Sequence, residues 1–385
     1  MGGSSEPAAL HPLFQNSIIP TFQEAFDDLC VSASPAALHT GSKDLREDMN
    51  ILSIDVEDYF MVTALEPAVK RSEWDQYESR IERNTYRLLE ILGNTSSSNS
   101  SANPVGTDAH HSLKATFFCL GWVAERYPRL IREIHACGHE VACHGYDHRR
   151  IHSMSPHVFR QDIRRNKALL EDCSGEDVIG YRAPSYSISD KNLWALEILA
   201  EEGFQYDSSV FPVRHDLYGI PDAPRFPCFV VKGEGGIRFM PLNSNTAPTS
   251  RRENYGAEPA APLLVEFPPS TMRLFGQNVP VAGGGYFRFF PMFFTRWAIK
   301  RVLREMDLPF IFYLHPWEID PCQPRVRGIP LKSKFRHYLN LGKTEGRLKS
   351  LLRMVPFTSF RDYLKEEKIL SHEDTKAQRR AGIVE

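Results

Sequence analysis

The hydrophobic positions of this chain alternate regularly between strand-like and helix-like segments from Lys114 onward. Short apolar runs that predict strands span 114–121, 139–144, 178–184 and 204–209. Segments with apolar side chains at helical spacing lie between them, over 122–137, 156–172 and 190–202. Upstream, the pattern predicts a buried strand at 50–55 and a helix at 78–92. This alternation predicts parallel strands joined by right-handed crossovers.

The same pattern divides the chain into regions. Residues 1–48 show no strong period and are interpreted as an N-terminal extension of unknown role. Residues 49–320 carry the strand–helix alternation, interrupted at 94–112 by a Ser- and Asn-rich stretch that predicts a disordered surface loop. Residues 321–385 predict a mainly helical C-terminal extension.

Polar residues that could take part in catalysis or binding lie where the predicted strands end. They are Asp55, His144, Arg182 and Asp207. In an α/β barrel, the carboxyl ends of the strands form the active face. The coincidence predicts an α/β barrel with a site at that face.

Two motifs provide candidate metal ligands. The segment DVED (55–58) places Asp55, Glu57 and Asp58 directly after an apolar strand, where solvation of a charge run is a poor explanation. The segment HGYDH places His144 and His148 four residues apart, so both imidazoles reach one cation if the chain turns helical there. Two imidazoles and one carboxylate form a hydrolytic metal set, with a neighbouring carboxylate as base. Asp55 is the candidate base, and period 2 along the strand puts Glu57 on the same side.

Three further segments carry candidate catalytic groups. Arg182 could hold a carboxylate with its guanidinium, and the backbone N–H of Ser185 or Tyr186 could face a developing oxyanion. Asp207 follows another strand and is either a turn cap or a carboxylate of the catalytic site. His315 ends a fully apolar run and is the candidate general acid, with its pKa raised by a carboxylate such as Asp207.

A glycine-rich segment, GGGYFRFF (283–290), shows no phosphate-binding pattern. It is interpreted as a loop that could line a sugar site with Tyr286 and Arg288. The N- and O-donor set makes Zn²⁺ the default cation, with Co²⁺, Ni²⁺ and Fe²⁺ as alternatives.

Composition narrows the partners and the compartment. A net charge of −2 does not indicate nucleic acid or an anionic membrane as a partner. The seven cysteines are scattered without a CxxC pair, which favours free thiols in a reducing compartment. The N-terminus lacks the features of a secretory signal, and no stretch approaches the ~20 apolar residues of a membrane helix. We therefore expect a cytoplasmic protein, and the oligomeric state stays open.

Taken in chain order, these segments resemble the polysaccharide deacetylase family, the NodB-homology carbohydrate esterases of family 4, over about residues 50–320. The resemblance rests on DVED, HGYDH, GYRAPSYS, YDSS and FIFYLHPWEID. It is closest to the branch associated with exosortase and exopolysaccharide gene clusters, because DVEDYF, GGGYFR and HPWE are all present. The family implies a distorted parallel (β/α) barrel of about seven strands, a divalent metal and a carbohydrate substrate.

The resemblance also implies roles for the acidic and histidine residues. Asp55 matches the family's catalytic base, and His144 and His148 match its metal-binding histidines. The usual first motif has two adjacent aspartates, whereas this chain has D-V-E-D. The third ligand is therefore Glu57 or Asp58, and the strand period favours Glu57.

The remaining roles fall in the later motifs. Arg182 matches the arginine that orients the base, with Tyr186 near the oxyanion hole. Asp207 lies near the aspartate that tunes the acid, and His315 matches the general acid. The predicted function is metal-dependent hydrolysis of the N-acetyl amide of an N-acetylhexosamine in a polysaccharide or its precursor. The alternatives are an allantoinase-like or other C–N hydrolase and a catalytically inactive sugar-binding protein.

Overall fold

The computed structural model describes residues 49–99, 113–215, 218–242, 261–305 and 308–369. The predicted N-terminal extension, most of the predicted loop at 94–112 and the last 16 residues lie outside these ranges. No helix within the described ranges is long and apolar enough to cross a bilayer. The six cysteines within them are all free thiols.

The described residues form twelve strands and ten α-helices. The strands are β1 (Asn50–Val56), β2 (Thr116–Cys119), β3 (Glu140–Cys143), β4 (Gly180–Tyr181), β5 (Tyr206–Asp207), β6 (Cys228–Gly233), β7 (Gly236–Pro241), β8 (Pro262–Glu266), β9 (Thr271–Leu274), β10 (Gln277–Pro280), β11 (Ile311–Leu314) and β12 (Phe357–Thr358). The helices are α1 (Ile81–Asn99), α2 (Gly121–Arg126), α3 (Pro128–Ala136), α4 (Pro156–Ser174), α5 (Trp194–Glu201), α6 (Gly284–Phe289), α7 (Met292–Glu305), α8 (Leu331–Tyr338), α9 (Leu341–Leu352) and α10 (Phe360–Glu366).

Ten of the strands form one mixed sheet. Its order is β11-β1-β2-β3-β4-β5-β8-β6-β7, and β12 also pairs with β1. The strands from β11 to β8 run parallel, whereas β6 pairs antiparallel with both β8 and β7. The predicted α/β class and parallel strands are therefore confirmed. The hairpin of β6 and β7 was not predicted.

Closure of the sheet into a barrel is not confirmed. Within the described ranges, no strand ladder joins β8 to β11. The free edge of β11 is instead met by irregular chain that follows β8: the Ile311 N–H donates to Ser270 Oγ at 2.8 Å, and the Tyr313 N–H donates to Ala282 O at 2.9 Å. The closed barrel stays a prediction.

Three predicted elements differ from the structure: the helix at 122–137, the loop at 94–112 and the glycine-rich segment at 283–290. The helix expected at 122–137 is two helices, α2 and α3, because Pro128 begins the second and cannot donate a backbone hydrogen bond to the first. Helix α1 continues through Asn99, so the first residues of the predicted loop at 94–112 are helical.

The glycine-rich segment predicted as a loop contains α6. Gly283 precedes this helix with φ +123°, and a Cβ there would lie 1.9 Å from Tyr313 O. The segment therefore needs glycine for close approach to β11, because a side chain would block the contact.

Candidate active site

The carboxyl ends of four parallel strands bring the candidate residues together. β1 supplies Asp55 and leads to Glu57, β3 leads to His144, β4 to Arg182, and β11 to His315. All five side chains are largely buried, with His315 the most accessible at 16% side-chain exposure. Parallel strands open their carboxyl ends at one edge, so residues up to 260 positions apart meet there.

Glu57, His144 and His148 form a candidate metal centre. Each offers one ligand atom, and these atoms lie within 4.8 Å of one another. The sequence pattern predicts that the two histidines meet on a helix. In the structure they meet across an irregular turn instead. Gly145 and His148 both have positive φ there, +73° and +58°, which folds the turn back on itself.

The state of His144 suits a metal ligand. Its Nδ1 lies 2.8 Å from the backbone oxygen of Arg182, which can only accept, so Nδ1 carries the proton. Burial lowers the pKa of His144 to about 4, so the imidazole is neutral. The lone pair on Nε2 is then available for a cation.

The donor set also leaves buried polar atoms without a hydrogen bond. Glu57 Oε2 lies 2.8 Å from His148 Nε2, but the contact lacks hydrogen-bond alignment. Neither Glu57 Oε2 nor His148 Nδ1 has a hydrogen-bond partner among the described residues. Buried polar atoms are normally paired, so unpaired ones need a reason, and a cation between a carboxylate and two imidazoles provides it. The residues therefore fit a divalent metal.

Asp58, the alternative ligand, has a different role. Its Oδ2 accepts hydrogen bonds from the backbone N–H of Arg80 and Ile81, at 2.6 and 3.1 Å, and from Ser79 Oγ at 3.0 Å. These donors lie at the start of α1, where free N–H groups attract a carboxylate. Asp58 therefore holds the first turn of α1, and the candidate metal group contains Glu57, the favoured of the two predicted ligands, rather than Asp58.

Asp55 is held by Arg182. Arg182 Nη1 donates to Asp55 Oδ1 at 2.6 Å and to Ser53 Oγ at 2.9 Å, while Nη2 donates to Ser208 Oγ at 2.9 Å. The other carboxylate oxygen, Oδ2, lies 3.8 Å from His315 Nε2. Arg182 thus orients Asp55 and leaves one oxygen toward the site, as the resemblance implies.

His315 lies between two carboxylates. Its Nε2 is 3.0 Å from Glu57 Oε1, and its Nδ1 is 2.6 Å from Glu318 Oε1. Burial alone would lower the pKa of His315, but the charges of Glu57 and Glu318 outweigh it and raise the pKa to about 10. In this arrangement His315 carries a proton at neutral pH.

Asp207 does not supply the charge that was predicted to raise the pKa of His315. Its Oδ1 accepts from Ser209 Oγ at 2.5 Å, and its carboxyl faces Glu266, its neighbour on β8. Burial raises the pKa of Asp207 to about 6 and that of Glu266 well above its usual range, so the pair holds a proton. The carboxylate that replaces Asp207 beside His315 is Glu318.

Sequence reasoning missed Glu318 and misplaced Arg288. Arg288 Nε donates to Glu318 Oε2 at 2.5 Å, and its Nη1 donates to the backbone oxygens of His337 and Leu339 at 2.7 and 3.0 Å. Arg288 is buried, so it cannot line a sugar site as predicted. The signal for Glu318 was available, because it lies three residues after His315 and a tight turn at Pro316–Ile319 returns it to that ring.

Tyr186 also differs from its predicted role. Its backbone N–H donates to Ala183 O at 3.0 Å, so this N–H is not free to face an oxyanion. Its ring packs against Tyr313 at 5.1 Å, and its buried hydroxyl has no hydrogen-bond partner among the residues described. The ring of Tyr186 therefore forms part of the aromatic wall of the site, and its N–H is used in a backbone hydrogen bond to Ala183.

Two family models match separate parts of the chain. Residues 98–206 match the model of the polysaccharide deacetylase family. This segment is therefore similar to polysaccharide deacetylases. It contains His144, His148 and Arg182. Residues 239–365 match a domain of unknown function, DUF3473, and this part of the chain contains His315, Glu318 and Arg288.

Two curated proteins that are similar to part of this chain carry deacetylase names. A peptidoglycan deacetylase-like protein of Gibberella zeae, FGM2, is 31% identical over 118 residues, 31% of this chain and 33% of that protein. A peptidoglycan-N-acetylglucosamine deacetylase of Bacillus cereus is 32% identical over 88 residues, 23% of this chain and 32% of that protein. The chain thus spans about a third of the length of these relatives.

The fold is similar to a solved structure. A Mycobacterium smegmatis protein assigned as a polysaccharide deacetylase superposes with a TM-score of 0.50 and 18% identity, over 87% of this chain and 95% of that one. At this identity the likeness shows the fold alone. This chain therefore shares its α/β architecture with the Mycobacterium smegmatis protein.

Proposed function

We propose that the protein hydrolyses the N-acetyl amide of N-acetylated sugars in a polysaccharide or its precursor and releases acetate. The observation that carries the proposal is the meeting of a base, a metal-ligand set and an acid at one edge of the sheet: Asp55, the group of Glu57, His144 and His148, and His315. Amide hydrolysis needs these three functions together. The similarity of residues 98–206 to deacetylases supports the acetyl group as the target.

A bound divalent cation, with Zn²⁺ as the default from the N and O donors, would polarise the amide carbonyl and lower the pKa of water. Glu57, His144 and His148 would hold it. Asp55, oriented by Arg182, accepts the proton of the attacking water through its free oxygen. The new bond joins the water oxygen to the acetyl carbon.

The second step needs a proton donor on the nitrogen. An amine is a poor leaving group until it is protonated, so the C–N bond breaks only as a proton arrives. His315 supplies that proton, because Glu57 and Glu318 keep it in the imidazolium form. Glu318 fixes the ring through Nδ1, and Arg288 fixes Glu318. The products are acetate and a free amino sugar.

We also propose that the protein belongs to the exopolysaccharide-associated branch of the family. The DUF3473 match, which covers GGGYFR and HPWE, supports this assignment. The resulting substrate is an N-acetylhexosamine in an exopolysaccharide or its precursor.

The decisive experiment measures acetate release by metal-reconstituted protein from N-acetylglucosamine oligomers, with allantoin in parallel. Acetate from the oligomers, abolished by chelation and restored by metal, is the expected result. Turnover of allantoin alone would assign another C–N hydrolase. No turnover of either substrate, with retained glycan binding, would assign a sugar-binding protein.

A further inference from the structure

The charge of this protein is unevenly distributed along the chain. Residues 288–353 contain 14 Lys and Arg but only five Asp and Glu, a net charge of +9, whereas the whole chain carries −2. Two of the five carboxylates, Glu318 and Asp320, are buried and paired with arginines. The exterior of this region is therefore strongly basic, which the overall balance conceals.

Helix α7 places part of this charge on one exposed face. Phe293, Arg296 and Lys300 follow one another at intervals of three and four residues and are all exposed. The opposite face, which includes Phe294 and Ala298, is buried in the core. The outer face thus combines cations with an aromatic ring that is 62% exposed.

A cavity between α7 and the end of α9 collects three of these cations. It has a volume of about 370 Å³ and is lined by Arg296, Lys300, Ser350, Arg353 and Met354. Arg296 Nη2 donates to Ser350 Oγ at 2.8 Å. Across the described ranges, no carboxylate lies within 4.0 Å of the charged groups of Arg296, Lys300 or Arg353.

Some arginines elsewhere on the surface are compensated by carboxylates. On α4, Arg160 and Arg164 each form ion pairs with Glu202 at the end of α5. Three uncompensated cations around one cavity repel each other, and a phosphate or another anion removes that repulsion. The cavity is therefore suited to an anionic headgroup.

The topology places the aromatic end of this face near the site. α7 leaves the edge where β8 ends and returns to the start of β11, so its first turn lies toward the carboxyl edge of the sheet. Phe289, at the end of α6, is also exposed there, one residue from the Arg288 that binds Glu318. The aromatic end of this face therefore lies toward the candidate active site, whereas Arg353 precedes β12, which pairs with the start of β1 at the opposite, amino edge of the sheet.

We propose that this α7–α9 face, made of Phe293, Arg296, Lys300 and Arg353, docks on an anionic phospholipid bilayer. The cations contact headgroup phosphates, with one phosphate in the cavity, and Phe293 enters the interface. A soluble polyanion would use the cations but gain little from an exposed phenylalanine. The proposal concerns a surface apart from the catalytic residues and does not depend on the proposed reaction.

Vesicle co-sedimentation of the full chain tests the proposal. We expect binding to phosphatidylcholine vesicles that contain phosphatidylserine, weak binding to pure phosphatidylcholine, and loss of binding at high salt. The triple variant Arg296→Gln, Lys300→Gln, Arg353→Gln should bind the anionic vesicles about 100-fold more weakly. Phe293→Ser should weaken binding several-fold while leaving its salt dependence in place.

The matched control removes three exposed cations elsewhere: Arg129→Gln, Arg164→Gln, Lys191→Gln. It changes the net charge equally, so it should bind anionic vesicles within about threefold of wild type. Equal loss in both triple variants would reduce the effect to net charge and overturn the proposal. Wild-type binding to heparin that is stronger than to vesicles and unaffected by Phe293→Ser would assign the face to a soluble polyanion instead. Absence of vesicle binding would also overturn it.

Discussion

Buried carboxylates lie at both ends of the same parallel strands. At the amino end, Glu140 begins β3 and is buried. Its Oε1 accepts from Tyr206 Oη at 3.0 Å, and its Oε2 accepts from Thr116 Oγ1 at 2.5 Å and from the Arg361 N–H at 3.0 Å. Both oxygens are satisfied, and the contacts attach α10 to the sheet.

The carboxyl end is equally buried but is not satisfied. Asp55 and Glu57 face His148 and His315, and Glu57 Oε2 and His148 Nδ1 have no hydrogen-bond partner within the part of the chain described. Burying polar groups without partners costs free energy, so natural folds retain them where function requires them. Burial alone therefore does not distinguish a structural carboxylate from a catalytic one. Between these two ends, the completeness of the hydrogen bonds makes the distinction.

The largest effect is expected from Asp55→Asn. The amide still accepts from Arg182 but cannot take a proton from water, so kcat should fall by about 10³-fold or more. Acetate release and metal content are measured on the same preparation. Metal content should match wild type, and a parallel loss of metal would contradict the assignment of Asp55 as base.

Glu57→Gln should instead lose the metal. An amide is a weaker ligand than a carboxylate, and we expect the metal affinity to fall by at least about 100-fold. Asp58→Asn is the matched control, because it removes the neighbouring carboxylate that holds α1. It should lower the free energy of unfolding by about 1 kcal/mol and retain metal. Metal loss confined to Asp58→Asn would move the ligand to that position.

Glu318→Gln should lower the rate of amide hydrolysis by about 10- to 100-fold, with KM little changed. The ring of His315 loses the carboxylate that fixes it and stabilises its charge. An acetyl ester with a nitrophenol leaving group needs no proton on departure, so its hydrolysis should be nearly unaffected. Asp55→Asn, in contrast, should fail on both substrates. Equal loss on amide and ester would show that Glu318 has only a structural role.

Glu140→Gln should affect stability and leave catalysis intact. Gln can accept only through one oxygen, so one of the donors from Tyr206, Thr116 or Arg361 loses its partner, and we expect the free energy of unfolding to fall by about 1–3 kcal/mol. Chemical denaturation measures this loss. kcat per folded molecule should stay within about twofold of wild type. A large loss of turnover in the folded variant would contradict the assignment of a purely structural role to the carboxylate at the amino end.

The smallest effect concerns the Asp207–Glu266 pair and depends on pH. Burial raises the pKa of Asp207 to about 6, so the folded protein binds this proton more tightly than the unfolded chain. The contribution of this proton to the free energy of unfolding is therefore present at pH 4 and is lost as the pH rises through about 6. Asp207→Asn replaces this proton with a permanent amide donor, so between pH 5 and pH 8 wild type should lose about 1–2 kcal/mol of unfolding free energy relative to the variant. A difference that does not change with pH would exclude the shared proton.

The local pattern of this sequence determined which segments are strands and where each one ends. Apolar runs of four to seven residues identified β1, β2, β3 and β11, and therefore placed Asp55, His144 and His315 at one edge. The split at Pro128 and the antiparallel β6–β7 hairpin were missed. Helical spacing continues across the proline, and β6 pairs with β8, a strand that comes later in the chain.

Only the tertiary structure decided which acidic group meets which partner. Glu57 and Asp58 are adjacent in sequence, yet one faces His148 while the other accepts N–H groups at the start of α1. His315 takes Glu318 rather than Asp207 as its carboxylate, because Asp207 is engaged by Glu266 from the neighbouring strand. Strand formation depends on short-range hydrophobic periodicity, which a sequence displays directly. The direction of a charged side chain depends on donors contributed by distant segments, and those come together only when the chain has folded.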